Sequence, residues 1–242
     1  MRAWFDALLS VVFAPVCAAC ERPLEQPLGS AVCGACWASI RPIVPPFCER
    51  CGDALPSWRI VSLDLARCAR CRRHPSGAVD RARAVGSYDG ALRAVIHALK
   101  YDARRSLARP LAHLMRSRGA SILDGAAAVV PVPLHAARHR QRGFNQAEDL
   151  ARNLGLDMVA ALRRFRPTAI QAELPASQRH SNVKNAFAAT AGARVLAGRT
   201  VVLVDDVSTT GATLDACAAA LKGVGVAEVR ALTAARVLSA RR

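Results

Sequence analysis

At 242 residues and 52% apolar content, the chain can bury a sizeable core, in one large domain or two smaller ones. Its 34 Lys and Arg against 18 Asp and Glu give a net charge of +16, which suits a polyanionic partner, although an Ala- and Arg-rich composition also follows GC-rich coding. No stretch of about eighteen uncharged apolar residues occurs, so membrane insertion is not expected.

Met1-Arg2 and the apolar run from Ala7 to Val16 imitate a secretion signal. Asp6 interrupts its start, and Cys17 and Cys20 occupy the place of a cleavage site, so an amphipathic helix and a cytoplasmic protein are expected. Eight of the nine cysteines then form four Cys-x-x-Cys pairs: Cys17/Cys20, Cys33/Cys36, Cys48/Cys51 and Cys68/Cys71. A two-residue gap lets both sulfurs of a tight knuckle reach one ion, and two knuckles fill the four positions of a closed zinc site. The pattern predicts two structural Zn²⁺ in zinc-ribbon-like modules. Sequential pairing joins 17/20 to 33/36 and 48/51 to 68/71; a cross-braced pairing is the alternative. Disulfides need an oxidising compartment and a redox motif comes singly, so neither accounts for four pairs. This front region is Pro-punctuated and poor in aromatics, with Trp37, Phe47 and Trp58 the main ones. About 75 residues of that kind cannot easily hold themselves by apolar burial, and metal supplies the missing folding free energy. Cys217 stands apart, as a small core residue in an Ala-rich helix.

The run Arg72 to Gly77 marks a boundary, dividing a zinc-binding region (1–75) from an α/β domain (76–242). Helical spacing recurs over Leu92–Leu99 and Leu107–Leu114, with Lys100-Tyr101-Asp102 between them. Ala126–Val132 has the pattern of a buried strand, and a basic loop follows it: His135, Arg138, His139, Arg140, Arg142, Gly143, Phe144, Asn145 and Gln146. Arginines and a glycine between a strand and a helix (Ala147–Leu154) suit a diphosphate, because guanidinium forks and N–H groups at the helix start converge on it. A second basic, loop-like stretch runs from Arg164 through Thr168, Gln171 and Arg179 to Asn182 and Phe187.

The most specific segment is Val201-Val202-Leu203-Val204-Asp205-Asp206-Val207-Ser208-Thr209-Thr210-Gly211-Ala212-Thr213-Leu214. Four apolar residues in a row suit a central parallel strand buried on both faces, with a helix starting directly after the turn. Gly211 lets the backbone come close to a ligand, and Ser208, Thr209, Thr210 and Thr213 offer hydroxyls to phosphate oxygens. The two carboxylates would repel phosphate, so they suit ribose hydroxyls or a hydrated Mg²⁺.

This segment resembles the 5-phosphoribosyl-1-pyrophosphate (PRPP) loop of type I phosphoribosyltransferases. With the cysteine knuckles, Leu99-Lys100-Tyr101, Pro131-Val132-Pro133-Leu134, Arg142-Gly143-Phe144-Asn145-Gln146 and the Thr168/Gln171/Arg179/Asn182 spacing, the whole chain is similar to the ComF family of competence-related, phosphoribosyltransferase-like proteins. It departs from that pattern at Glu173 and at Asp102-Ala103, where a glycine is usual.

The resemblance implies a parallel sheet flanked by helices behind a small zinc-ribbon-like domain. It implies PRPP with Mg²⁺ on Asp205, Asp206, Ser208, Thr209, Thr210, Gly211, Ala212 and Thr213. Arg138, Arg140, Arg142 and Gly143 would hold pyrophosphate, and Arg164, Thr168, Gln171, Arg179 and Asn182 would form a flap over the reacting ribose. Asp205, Asp206 and Arg142 would carry any catalysis. It also implies a link to DNA uptake, through single-stranded DNA or the uptake machinery; the alternative is nucleobase salvage, a phosphoribosyl transfer to an acceptor that the sequence does not identify. Turnover and oligomeric state stay open at this point.

Overall fold

The computed structural model describes residues 15–26, 29–55, 66–73, 77–166 and 186–238. The amphipathic helix expected before Cys17, and Thr168, Gln171, Arg179 and Asn182, lie outside the described residues. Among the described residues, the front region contributes two short helices, α1 (Gly34–Ala38) and α2 (Ala69–Arg73), which carry Cys36 and Cys71, the last cysteine of each group. Then come β1 (Arg81–Ser87), α3 (Gly90–Tyr101), α4 (Ala108–Arg118), α5 (Ala120–Leu123) and β2 (Ala128–Pro131). The basic segment holds α6 (Ala136–Arg142) and α7 (Gln146–Ala151), and β3 (Leu162–Arg164) pairs antiparallel with β4 (Phe187–Ala189). The chain closes with β5 (Thr200–Ser208), α8 (Ala212–Lys222) and β6 (Glu228–Arg236).

The main sheet is parallel throughout, in the order β1-β6-β5-β2. Alternation along β5 explains its unbroken apolar run. Val202 and Val204 join one core with Val85, Ile96, Leu99, Leu111, Met115 and Leu150, while Val201 and Leu203 join the other with Val130, Leu214, Cys217 and Leu221. With both faces covered, none of positions 201–204 can be polar, and polar side chains resume where the strand emerges at its carboxyl end with Asp205. Cys217 is a core residue, as expected, with its thiol fully buried and pushed well up by that burial.

The front region is built into this core. Cys17, Leu24, Val32 and Ile40 pack in the cluster that covers α3 and β1. Arg118 donates to the carbonyls of Val85 and Ile40 at 3.1 Å each, tying the first cysteine group to β1. The second group docks on the same strand: Ala82 N–H donates to the Arg50 carbonyl at 2.6 Å. Gly52 is required there, since its φ is +69° and a Cβ would lie 2.7 Å from the Ala82 oxygen.

Two segments differ from the sequence-based expectation. The basic loop contains a helix, α6, capped by the His135 side chain and stopped by Gly143 in the left-handed conformation. Arg164 lies in β3 rather than in a loop, because Leu162 on that strand enters the core and fixes the pairing of Arg164 with Phe187.

Candidate functional site

The carboxyl ends of β5 and β6 carry the site, where an open parallel sheet leaves a crevice. Asp206 is buried and Asp205 half-buried. The Asp206 N–H donates to Asp205 Oδ1 at 2.9 Å, so the first acid folds back on the strand. Lys100, in the last turn of α3, places its Nζ 2.8 Å from Asp206 Oδ2. Burial works against the ammonium, but Asp206 beside it outweighs that and holds its pKa above the usual lysine value.

Asp205 forms no ion pair of its own among the described residues; burial, and then the charge of Asp206, push its carboxyl up to about 7, with Lys100 acting the other way. Between the ordinary carboxylate range and about 7, the folded protein holds a proton at Asp205 that the unfolded chain releases, so this group costs stability progressively as pH rises through that window. Thermal unfolding from pH 4 to pH 8 should therefore show a loss that Asp205→Asn flattens; an identical profile in the variant would refute it.

After Ser208 the chain turns through Thr209, Thr210 and Gly211, whose φ of +81° caps α8. The Thr210 hydroxyl accepts from the Ala212 N–H at 3.4 Å. Ser208 Oγ accepts from Arg236 Nη1 at 3.3 Å. Asp215 in the first turn of α8 accepts from the Val79 N–H at 3.2 Å, fixing the helix to the start of the α/β portion.

The segment after β2 approaches the acids from one side. Arg142 donates to Gln146 Oε1 at 3.0 Å and lies 5.2 Å over the ring of Tyr101, one residue beyond Lys100. Gln146 is buried, and its Nε2 has no partner among the described residues. Asn145 caps α7 and donates to the Val132 carbonyl, while Arg105 grips Asp149 through two hydrogen bonds of 2.7 and 2.8 Å. Arg164 links the parts: burial and then neighbouring Arg138 lower its pKa, with Cys217 and Asp205 opposing. Arg138, Arg164 and Asp205 thus lie close enough for their charges to act on one another, Asp205 leads through Asp206 into the 208–213 turn, and Arg142 reaches Tyr101, the neighbour of Lys100. Arg140 is exposed on α6, and Gly143 serves as its stop.

The cysteines gather in sequence order. The sulfurs of Cys17, Cys20, Cys33 and Cys36 lie within 4.8 Å of one another, as do those of Cys48, Cys51, Cys68 and Cys71. Cys20 to Cys33 is 3.9 Å and Cys51 to Cys68 is 3.6 Å. Zn–S bonds of about 2.3 Å in a tetrahedron require sulfur–sulfur edges of about 3.8 Å, so both groups fit Zn²⁺. N–H groups of Cys33 and Ala19 point at Cys17 Sγ at 3.3 and 3.4 Å, the pattern of a knuckle around a thiolate.

Comparison with known proteins agrees with this construction. The chain is 31% identical to competence protein F of Haemophilus influenzae, over 86% of this chain and 91% of that protein. It is 34% identical to DNA utilization protein YhgH of Salmonella typhi and 33% to that of Escherichia coli K12, each over 92% of this chain and 97% of the relative. The chain belongs to the ComF family. Within this ComF-family protein, residues 116–242 match the phosphoribosyl transferase domain and residues 8–72 the double zinc ribbon domain. Among the described residues, no helix is long and apolar enough to cross a membrane.

Lys100, which the sequence marks only as part of Leu99-Lys100-Tyr101 with no role attached, reaches Asp206 and so joins the site. Asp53 and Arg236 are marked by no local motif at all.

Proposed function

We propose that this chain binds PRPP with Mg²⁺ at the carboxyl end of β5 and serves DNA uptake by handling single-stranded DNA. In this reading residues 1–75 form the zinc-bearing part and 76–242 the PRPP-binding part of a cytoplasmic protein, where eight thiols stay reduced. The observation that carries it is the convergence of an acid pair, a hydroxyl-rich turn before a helix and the arginines of another loop at one end of a parallel sheet.

The 208–213 turn would bind the 5-phosphate through N–H groups and the hydroxyls of Ser208, Thr209, Thr210 and Thr213. Asp205 and Asp206 would accept from the ribose 2- and 3-hydroxyls, and Arg142 with Arg138 or Arg140 would hold the diphosphate. The donor set fits a hydrated Mg²⁺, because the burial and the Asp206 charge that raise Asp205 are both relieved by a cation. When bound, Mg²⁺ would neutralise diphosphate charge. Lys100, 2.8 Å from Asp206 Oδ2, fixes the position of that acceptor in the dry part of the site.

The names of the relatives, competence protein F and DNA utilization protein, support the DNA role. So does the rim of the site, where Tyr101 is 62% exposed beneath the Arg142 guanidinium with Arg104 and Arg105 close by in the chain; an aromatic face among cations suits stacked bases and phosphates. Calorimetry should show heat with Mg-PRPP. Single-stranded DNA affinity should fall steeply with salt, with little pyrophosphate released by free nucleobases. Turnover with a nucleobase and no DNA affinity would overturn the uptake role in favour of salvage.

A further inference from the structure

The second cysteine group and the phosphate-binding turn share one buried side chain. Arg236 ends β6, in register with Ser208 at the end of β5, and is only 3% exposed. Its backbone is held on both sides: the Tyr88 N–H donates to its carbonyl at 2.8 Å, and the following Val237 N–H donates to the Ser208 carbonyl at 2.9 Å. Its guanidinium then faces two ways. Nη1 donates to Ser208 Oγ at 3.3 Å, and Nε lies 3.5 Å from Asp53 Oδ1, with both charged groups under a tenth exposed.

Asp53 belongs to the knuckle of Cys48 and Cys51. Its carbonyl accepts from the Cys48 N–H at 2.7 Å, and the Gly52 N–H donates to the Cys48 carbonyl at 2.8 Å, so the loop closes around the cysteines. The same loop seats on β1 through the Arg50 carbonyl and the close approach of Gly52 to Ala82. A buried guanidinium cannot shed its charge and must keep its acceptors. Moving Asp53 therefore moves Arg236, and Arg236 is what Ser208 Oγ rests on.

We propose that Arg236 is a positioning residue through which the second four-cysteine site sets the phosphate-binding turn: bound zinc fixes the Cys48–Asp53 knuckle, Asp53 orients Arg236, and Arg236 orients Ser208. The inference rests on the reading of residues 208–213 as a phosphate site. It gives the second zinc site a role in ligand affinity that the first lacks, because the first group packs on α3 and β1 and the hydrogen-bonding contacts of its sulfurs among the described residues are with one another and with N–H groups of their own knuckles.

The test is a double-mutant cycle on the full-length, zinc-loaded protein. Asp53→Leu/Arg236→Met removes both buried charges together, and Cys71→Ser disables the second zinc site; each is made alone and combined. Zinc per chain, hydrogen exchange of the 205–214 segment and Mg-PRPP affinity are measured on all four proteins. The charge-free double variant should keep both zinc ions, yet exchange at 208–213 about ten- to a hundredfold faster and bind Mg-PRPP more weakly by a similar factor, as loss of an orienting partner does. Cys71→Ser should accelerate the same amides in the wild-type background and add little in the double variant. Wild-type exchange in the double variant, or an undiminished further effect of Cys71→Ser, overturns the proposal. Asp53→Asn, which keeps the shape, covers the case in which the double variant does not fold and should give an intermediate acceleration; wild-type exchange there counts against it. Absence of Mg-PRPP binding by the wild type, with the exchange pattern intact, would sink the phosphate reading and leave the strut standing.

Discussion

Asp206→Ala is expected to destabilise the protein by about 3–5 kcal/mol, because it strands the Lys100 ammonium in a buried setting without its partner. The two side chains are 17% and 9% exposed and 2.8 Å apart, so solvent screens the pair little and desolvation sets the size of the loss. Removing the other member should cost less. Lys100→Met leaves two neighbouring carboxyls, and such a pair can share a proton, with Asp205 already raised to about 7. Lys100→Met/Asp206→Leu removes both charges and should unfold close to wild type, since replacing a buried ion pair by apolar side chains is often neutral. Urea unfolding at neutral pH orders the three variants. A wild-type midpoint for Asp206→Ala would show that Lys100 simply swings to water. Stability and binding should separate here: in the proposed reading Asp206→Ala and the double variant both lose a ribose acceptor, and each should weaken Mg-PRPP by at least about tenfold, the scale of a hydrogen bond to a charged group.

That ordering depends on a contact beyond the reach of the sequence. The run Val201–Val204 discloses its strand because a doubly buried strand leaves no other pattern, and the Cys-x-x-Cys spacing discloses its metal because tetrahedral coordination dictates short gaps. Both are local consequences of geometry. Lys100 meets Asp206, and Asp53 meets Arg236, only because β1-β6-β5-β2 packing brings distant segments together, and nothing near either residue encodes the pairing. The basic segment conceals its helix for a different reason. Its arginines stand out as charge, and of the two signals for α6 only the Gly143 stop is a common one, since His135 is not among the usual capping residues. Arg164 resembles a loop residue in the sequence because three residues of β3 are too few to show alternation.

The second large effect is loss of zinc. Structural Zn²⁺ in small modules contributes an apparent ~10–16 kcal/mol near neutral pH, as much as or more than a whole domain's ordinary net stability of about 5–15 kcal/mol. The cysteine region, whose described helices α1 and α2 are five residues each, buries few apolar side chains of its own, chiefly Leu24, Val32 and Ile40, to set against such a loss. Stripping both ions with a chelator under reducing conditions should therefore unfold the front region outright. The damage should spread, because Cys17, Leu24, Val32 and Ile40 complete the core over α3 and β1 and Arg118 is satisfied by the Ile40 carbonyl. Circular dichroism should show a parallel-sheet core that persists but melts well below the zinc-loaded protein, and Trp37, packed against that core with its indole N–H on Ser30, should report the first step by fluorescence. Unchanged melting after verified metal removal would contradict a folding role for zinc. Single-site variants refine the prediction: Cys36→Ser should act mainly on stability, through the core beneath α1. Cys71→Ser should act in addition on the turn at Ser208, which lies at the far end of the Asp53–Arg236 contact.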